Sequence, residues 1–158
     1  MPPQPLLDLS GIDPSRLVAT REQIQQVNPH RFEFQQLDGI LLNDHANGLM
    51  AGLRDLRPDE FWVRGHIPGR PIYPGVLIIE CAAQLVSYHV GTMESFEGFI
   101  GFGGVDGVKF RGQVKPGDRM IMLGKMLEVR GRRRCVAATQ GFVGDQMIYE
   151  GTITGMII

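Results

Sequence analysis

Only two cysteines, Cys81 and Cys135, occur in the 158 residues. Two thiols make no disulfide framework, and neither belongs to a CxxC or Cys/His spacing of the kind that holds zinc. An excess of charge of one sign is missing too. Sixteen Lys and Arg against seventeen Asp and Glu leave a net charge of −1, which argues against bulk attraction to nucleic acid. No apolar run reaches the ~18 residues of a membrane span. The opening MPPQPLLDLSGIDPSR lacks the basic start and apolar stretch of a signal peptide. Internal repeats and low-complexity tracts are absent as well. These absences predict a cytoplasmic protein with no metal, no nucleic-acid partner and no membrane insertion.

What is present is an ordinary globular composition, 43% hydrophobic and 21% charged, in a chain long enough to bury one core. Residues 1–19 are rich in proline and read as an arm; residues 20–158 read as a single domain. Thr20-Arg21-Glu22-Gln23 is a capping-box pattern, predicting a short helix to about Val27 that Asn28-Pro29 stops. Two strands are expected over 32–44 and 48–56, joined by the turn-prone NDHANG. Gly75 to about His89 is apolar on nearly every helical face, the mark of a helix buried in a core. Further strands are expected over 99–114, 119–130, 133–143 and 146–157, separated by glycine-bearing turns. Asp106-Gly107 reads as another turn, and Phe110 as a core-facing aromatic. One buried helix followed by antiparallel strands predicts an α+β arrangement, a sheet wrapped around a helix.

The chemistry concentrates in GHIPGRPIYPGVLIIE, Gly65–Glu80. Three glycines and three prolines crowd its first eleven positions. None of Ile72, Tyr73, Pro74 or Gly75 is a good N-cap, so the first amides of the helix lack a side-chain acceptor. A bare helix end of this kind accepts partial negative charge; water or another part of the chain could also cap it. Pro74 suits the first helical position, and Gly75 lets other atoms approach the backbone closely. His66 precedes the loop, and histidine is suited to general-base work near neutral pH. Glu80 lies within an apolar helix, where a carboxyl must be paired, protonated or working. Burial raises a carboxyl pKa, which is what lets a glutamate donate a proton. Gln84, one helical turn on, could orient it. An arginine partner giving Glu80 a purely structural role is the alternative. Base, acid and helix end together suit removal of a proton beside a carbonyl with loss of a hydroxyl.

The pattern H-x-P-G-x-P-x-x-P-G-x-x-x-x-E closely resembles the active-site motif of the 3-hydroxyacyl-acyl-carrier-protein dehydratases of hotdog fold, the FabZ type. Its seven fixed residues would meet by chance about once in 10⁷ chains of this length. NPHRFEF (28–34), GGVDGVKFRGQVKPGD (103–118) and the hairpin around RGRRRC resemble the same family, which therefore covers roughly residue 20 to the C-terminus. The resemblance implies a hotdog fold, a long central helix wrapped by an antiparallel sheet, in a homodimer that can assemble further into a hexamer. It implies reversible dehydration of a (3R)-hydroxyacyl thioester on acyl carrier protein, giving the trans-2-enoyl thioester in fatty-acid elongation, without a cofactor beyond the carrier's phosphopantetheine. The catalytic pair would be His66 and Glu80 from opposite subunits, with Gly75 polarising the thioester carbonyl and Gln84 steadying the acid.

Departures from the family pattern fall at Ile67, Arg70 and Tyr73. Ile67 and Tyr73, with Ile72, are expected to shape the acyl tunnel. Arg70 is expected to face solvent, with contact to the phosphopantetheine phosphate as the alternative. Relatives that also isomerise the double bond carry Asp where this chain has Glu80. Arg130, Arg132, Arg133 and Arg134 are expected on a hairpin and are candidates for docking an acidic carrier protein; a merely solvated cluster is the alternative. Cys81 reads as packing, and His30 as a structural part of the PHR element. Two rival functions are a hotdog acyl thioesterase and a non-catalytic subunit that binds acyl carrier protein.

Overall fold

The computed structural model describes residues 3–158. After a 3₁₀ turn at Leu9–Gly11 come a two-residue strand, β1 (Ala19–Thr20), and a one-turn helix, α1 (Arg21–Gln25). The capping box forms as expected: Thr20 Oγ1 accepts the Gln23 N–H at 3.2 Å and Gln23 Oε1 accepts the Thr20 N–H at 2.8 Å. A hairpin follows, β2 (Gly39–Asp44) and β3 (Leu49–Asp55), then the long helix α2 (Gly75–Gly91). The chain ends in β4 (Ile100–Phe110), β5 (Arg119–Arg130), β6 (Arg134–Val143) and β7 (Gln146–Ile157).

All seven strands form one antiparallel sheet in the order β1-β2-β3-β5-β6-β7-β4. Helix α2 touches β3, β4, β5, β6 and β7. Neighbouring strands lie about 4.8 Å apart, so one helix reaches five of them only because the sheet curls around it. Ile78, Cys81, Ala82, Leu85, Val86 and Val90 of α2 are buried in the resulting core. Polar Gln84 and His89 are buried with them.

Two expected strands change in detail. Residues 32–38 do not open β2. Phe32–Phe34 make a 3₁₀ turn, and the Gln36 amide bonds to Gln84 Oε1 on α2 at 2.9 Å rather than to a strand. Asp106-Gly107 lies inside β4, at a register shift against β7, with Gly107 at φ +60°: a bulge where a turn was expected. Residues 111–114 leave the sheet after β4, and the Val114 carbonyl accepts the Tyr73 N–H at 2.7 Å. The end of that segment therefore supports the loop before α2.

Residues of the arm lie across the outer face of the sheet. Leu6, Leu7, Leu9 and Ile12 pack on a second apolar cluster of Leu41, Ala51, Leu53, Leu123, Phe142 and Met147. Gln140 fastens them from both ends of its amide, accepting the Leu6 N–H at 2.8 Å and donating to the Gln4 carbonyl at 3.0 Å. Strand β3 is buried on both faces for this reason, with Met50 in the inner core and Ala51 and Leu53 under the arm. Met1 and Pro2 of the expected arm lie outside the described residues.

Candidate active site

The loop 65–74 has few free amides, since Pro68, Pro71 and Pro74 carry none, and its remaining groups tie it down. Ile72 donates to the His66 carbonyl at 2.9 Å, Arg70 to the Ile67 carbonyl at 2.9 Å, and His66 to the Trp62 carbonyl at 2.8 Å. The His66 ring is exposed at the surface and its Nδ1 lies 2.8 Å from the Ile72 carbonyl. A carbonyl only accepts, so Nδ1 carries the hydrogen and Nε2 presents a lone pair, the tautomer a general base needs.

At the start of α2, Pro74 occupies the N-cap with no side-chain cap, one position earlier than expected, and Gly75 is the first helical residue. The Pro74 carbonyl accepts from Leu77 and Ile78. Among the described residues no acceptor meets the N–H of Gly75 or Val76, so this helix end is open. Gly75 is also a close approach: a Cβ there would lie 2.7 Å from the Phe110 ring. Phe110 was expected to face the core. It is half-exposed instead and covers the helix end, stacked 5.9 Å from Tyr149.

Glu80 lies on the next turn of the helix, partly exposed, and among the described residues it has no arginine partner. Gln84 Nε2 donates to its Oε1 at 2.8 Å, and His30 Nε2 stands 3.4 Å from the same oxygen. The Gln84 amide is saturated, since Nε2 also donates to the Phe34 carbonyl at 2.7 Å while Oε1 accepts from Gln36. The 28–36 segment is thus fastened to α2. Asn28 Nδ2 adds a bond to the Gln84 carbonyl at 2.9 Å, and Arg31 braces the turn through the carbonyls of Gln25, Asn28 and His30. Burial holds the His30 imidazole below its usual pKa, against the opposing pull of Glu80. His30 and Glu80 share a cavity of about 120 Å³ with Ala83, Ser87, Phe99 and Ile100. A second cavity, about 420 Å³ and lined by Val90, Met93, Phe96 and Ile157, lies at the far end of the helix. Glu80, Gln84, Ser87 and Val90 recur every three to four residues along α2, which links the two cavities, and Met93 lies just past the end of the helix.

Beneath the loop lies a buried arginine. Arg54, 1% exposed, pairs with Glu60, lies 3.7 Å from Asp38, and donates to Gln36 Oε1 at 3.3 Å. Its guanidinium sits 5.1 Å from the centre of the Tyr73 ring. The Tyr73 hydroxyl donates to Gln36 Oε1, and burial pushes its pKa well above the usual range, so it stays a donor. Tyr73, expected at the acyl tunnel, is therefore turned into the core by its polar partners. Ile67 is half-exposed and Ile72 partly buried; neither lines the Glu80 cavity. Arg70 is exposed and lies 3.5 Å from Gln113 Oε1.

Within one chain, the bonds of His66 and of Glu80 go to different groups, and the Glu80 cavity does not include His66. Arg130, Arg132, Arg133 and Arg134 are exposed on the β5–β6 hairpin, near the C-terminal end of α2. Arg130 pairs with Glu128 and Arg132 with Glu97. Among the described residues no group of three His, Cys, Asp or Glu is placed to hold a metal ion, and no helix is long and apolar enough to cross a membrane.

A family model described as the FabA-like domain matches residues 28–152. The chain belongs to the FabA-like family. It is 35% identical over 133 residues to the 3-hydroxyacyl-[acyl-carrier-protein] dehydratase FabZ of Moorella thermoacetica, covering 82% of this chain and 90% of that one. Against the protein of the same name from Bacillus pumilus it is 36% identical over 126 residues, covering 77% and 87%. A solved structure, the dehydratase heterocomplex ApeI:P from Xenorhabdus doucetiae, superposes with a TM-score of 0.73 at 11% identity, covering 90% of this chain and 93% of that one. This FabA-like chain has the hotdog fold. Its family match begins at Asn28, so the segment carrying His30 falls within it. Sequence reasoning treated His30 as structural and missed its approach to Glu80. The sequence offers only its place between Pro29 and Arg31 in NPHRFEF, with no spacing that ties it to Glu80.

Proposed function

We propose that this chain is a hydro-lyase that reversibly removes water from a (3R)-3-hydroxyacyl thioester on acyl carrier protein, giving the trans-2-enoyl thioester of fatty-acid elongation. The working site joins His66 of one subunit to Glu80 of the other in a homodimer. His66 Nε2 takes the proton from C2. The open helix end at Gly75 meets the thioester oxygen as negative charge develops there. Glu80 gives its proton to the C3 hydroxyl, the C3–O bond breaks, and water leaves as the C2–C3 double bond forms. His66 is left protonated and Glu80 ionised, and proton exchange with solvent resets them. These groups account for every proton moved, so the reading calls for no cofactor beyond the carrier's phosphopantetheine.

The observation that carries this reading is the pairing of a base-ready His66 with a held Glu80 in one uninterrupted motif, in a chain over a third identical to dehydratases named FabZ. Support for the two-chain site comes from β4. It is an edge strand of the sheet, it exposes Phe102 and Phe110, with exposed Phe99 just before it, and Phe99 and Phe102 also line the Glu80 cavity. A second copy laid along that edge would cover the aromatics and close the cavity. The acyl chain runs along α2 from Glu80 towards Val90, and on to Met93 beyond the end of the helix. Ile67 and Ile72 shape its entrance, while Tyr73 acts from below through Arg54. Residues 20–158 form the dehydratase domain, with 1–19 as its arm.

Purified protein mixed with a 3-hydroxyacyl-carrier substrate should accumulate the enoyl thioester. His66→Ala and Glu80→Gln should each lower the rate by roughly 10²–10⁴-fold while leaving the far-UV circular dichroism unchanged. Release of free thiol in place of enoyl product, or wild-type rates in either variant, would overturn the assignment.

A further inference from the structure

Glu80 has two carboxyl oxygens, and their surroundings differ. Oε1 faces Gln84 Nε2 at 2.8 Å and His30 Nε2 at 3.4 Å; Oε2 has no protein partner among the described residues. The Gln84 amide cannot turn around, because its oxygen already accepts from Gln36 and its nitrogen also serves Phe34. The carbonyl oxygen of a carboxylic acid accepts better than its hydroxyl oxygen, so this N–H favours the proton of the acid form on Oε2. His30 reinforces the same choice if Nε2 bears its hydrogen. Its other nitrogen, Nδ1, is buried without a partner, so Nε2 is the nitrogen left to interact. The position of His30 is built: Asn28 is bonded to the Gln84 carbonyl and to Ser87, and Arg31 closes the turn on three carbonyls.

We propose that His30 is a positioning residue for the acid: with Gln84 it holds Glu80 by Oε1, so that Oε2 carries the proton given to the leaving hydroxyl. The role in turnover rests on the dehydratase reading; the pairing does not. The charges that face His30 are Glu80 from α2 and Arg31 from its own segment. The cavity residues of β4 and β7, Phe99 to Phe102 and Ile153 to Gly155, bring none.

Two measurements separate these claims. The first follows the His30 ring by NMR in wild type and Glu80→Gln. Glu80 draws the His30 pKa upward, so losing its charge should move the midpoint to lower pH, and the ring ¹⁵N shifts of the neutral form should report hydrogen on Nε2. An unchanged midpoint, or hydrogen on Nδ1, overturns the pairing whether or not the enzyme turns over. The second compares His30→Ala with His30→Gln, whose amide can offer an N–H in its place. His30→Ala should lower kcat about tenfold or more with KM within about twofold, and His30→Gln should recover most of the loss. A wild-type kcat in His30→Ala, or no recovery in a folded His30→Gln, overturns the positioning role. An inactive wild type would instead overturn the dehydratase reading, leaving the NMR result to judge the pair.

Discussion

Arg54 occupies a strand position where an apolar side chain would be usual, and its guanidinium is almost wholly withdrawn from water. Glu60, Asp38, Gln36 and Tyr73 surround it. Removing the cation leaves Glu60, only 11% exposed, with just the neutral N–H donors of Arg57 and Trp62, while Asp38 keeps Arg21 and Arg57. Arg54→Met should therefore destabilise the fold by about 3–5 kcal/mol, read from urea unfolding. A cost under ~1 kcal/mol would mean that the network is relieved by water. The sequence exposes some of these residues better than others. Gln84 beside Glu80, and the bare helix end at Gly75, depend on helical spacing and caps and are legible in a short stretch. His30 with Glu80, and Arg54 with Glu60 and Asp38, are brought together by loop paths and the curl of the sheet. No local period encodes those meetings.

At the scale of elements, α2 and the last four strands were legible because each carries a strong pattern and glycine turns bound them. The expected strand over 32–44 begins only at Gly39 because Gln36 gives its amide to a helix side chain, a tertiary bond that no alternation reveals. The β5–β6 hairpin now has a definite setting. Two of its four arginines have acidic partners, Glu128 and Glu97, while Arg133 and Arg134 have none among the described residues. Changing Arg133 and Arg134 together to Glu should raise KM for a carrier-bound substrate about tenfold and leave short acyl thioester mimics within about twofold. Both side chains are exposed, so the fold should tolerate the change. Equal loss on both substrates would sink the docking role.

For the whole molecule, the proposed division of each site between two chains makes a quantitative demand. His66→Ala and Glu80→Gln protomers, unfolded together and refolded at equal concentration, should pair at random. About half the dimers would then be mixed, each with one intact site, restoring about a quarter of wild-type activity. No recovery from a verified mixed dimer would place both groups in one chain.

The arm also raises a question of timing. Its bonds to Gln140 join residues 134 and 136 positions apart, and its apolar bed includes Phe142 and Met147. The arm is thus synthesised well before the bed it docks on and cannot settle until Gln140, Phe142 and Met147 have emerged. In the interval Leu6, Leu7, Leu9 and Ile12 travel uncovered, flanked by Pro5 and Pro14, which disfavour strand pairing with a neighbouring nascent chain. Closing so long a loop is slow beside local hairpin formation, which makes the arm a last fastening on an already curled sheet.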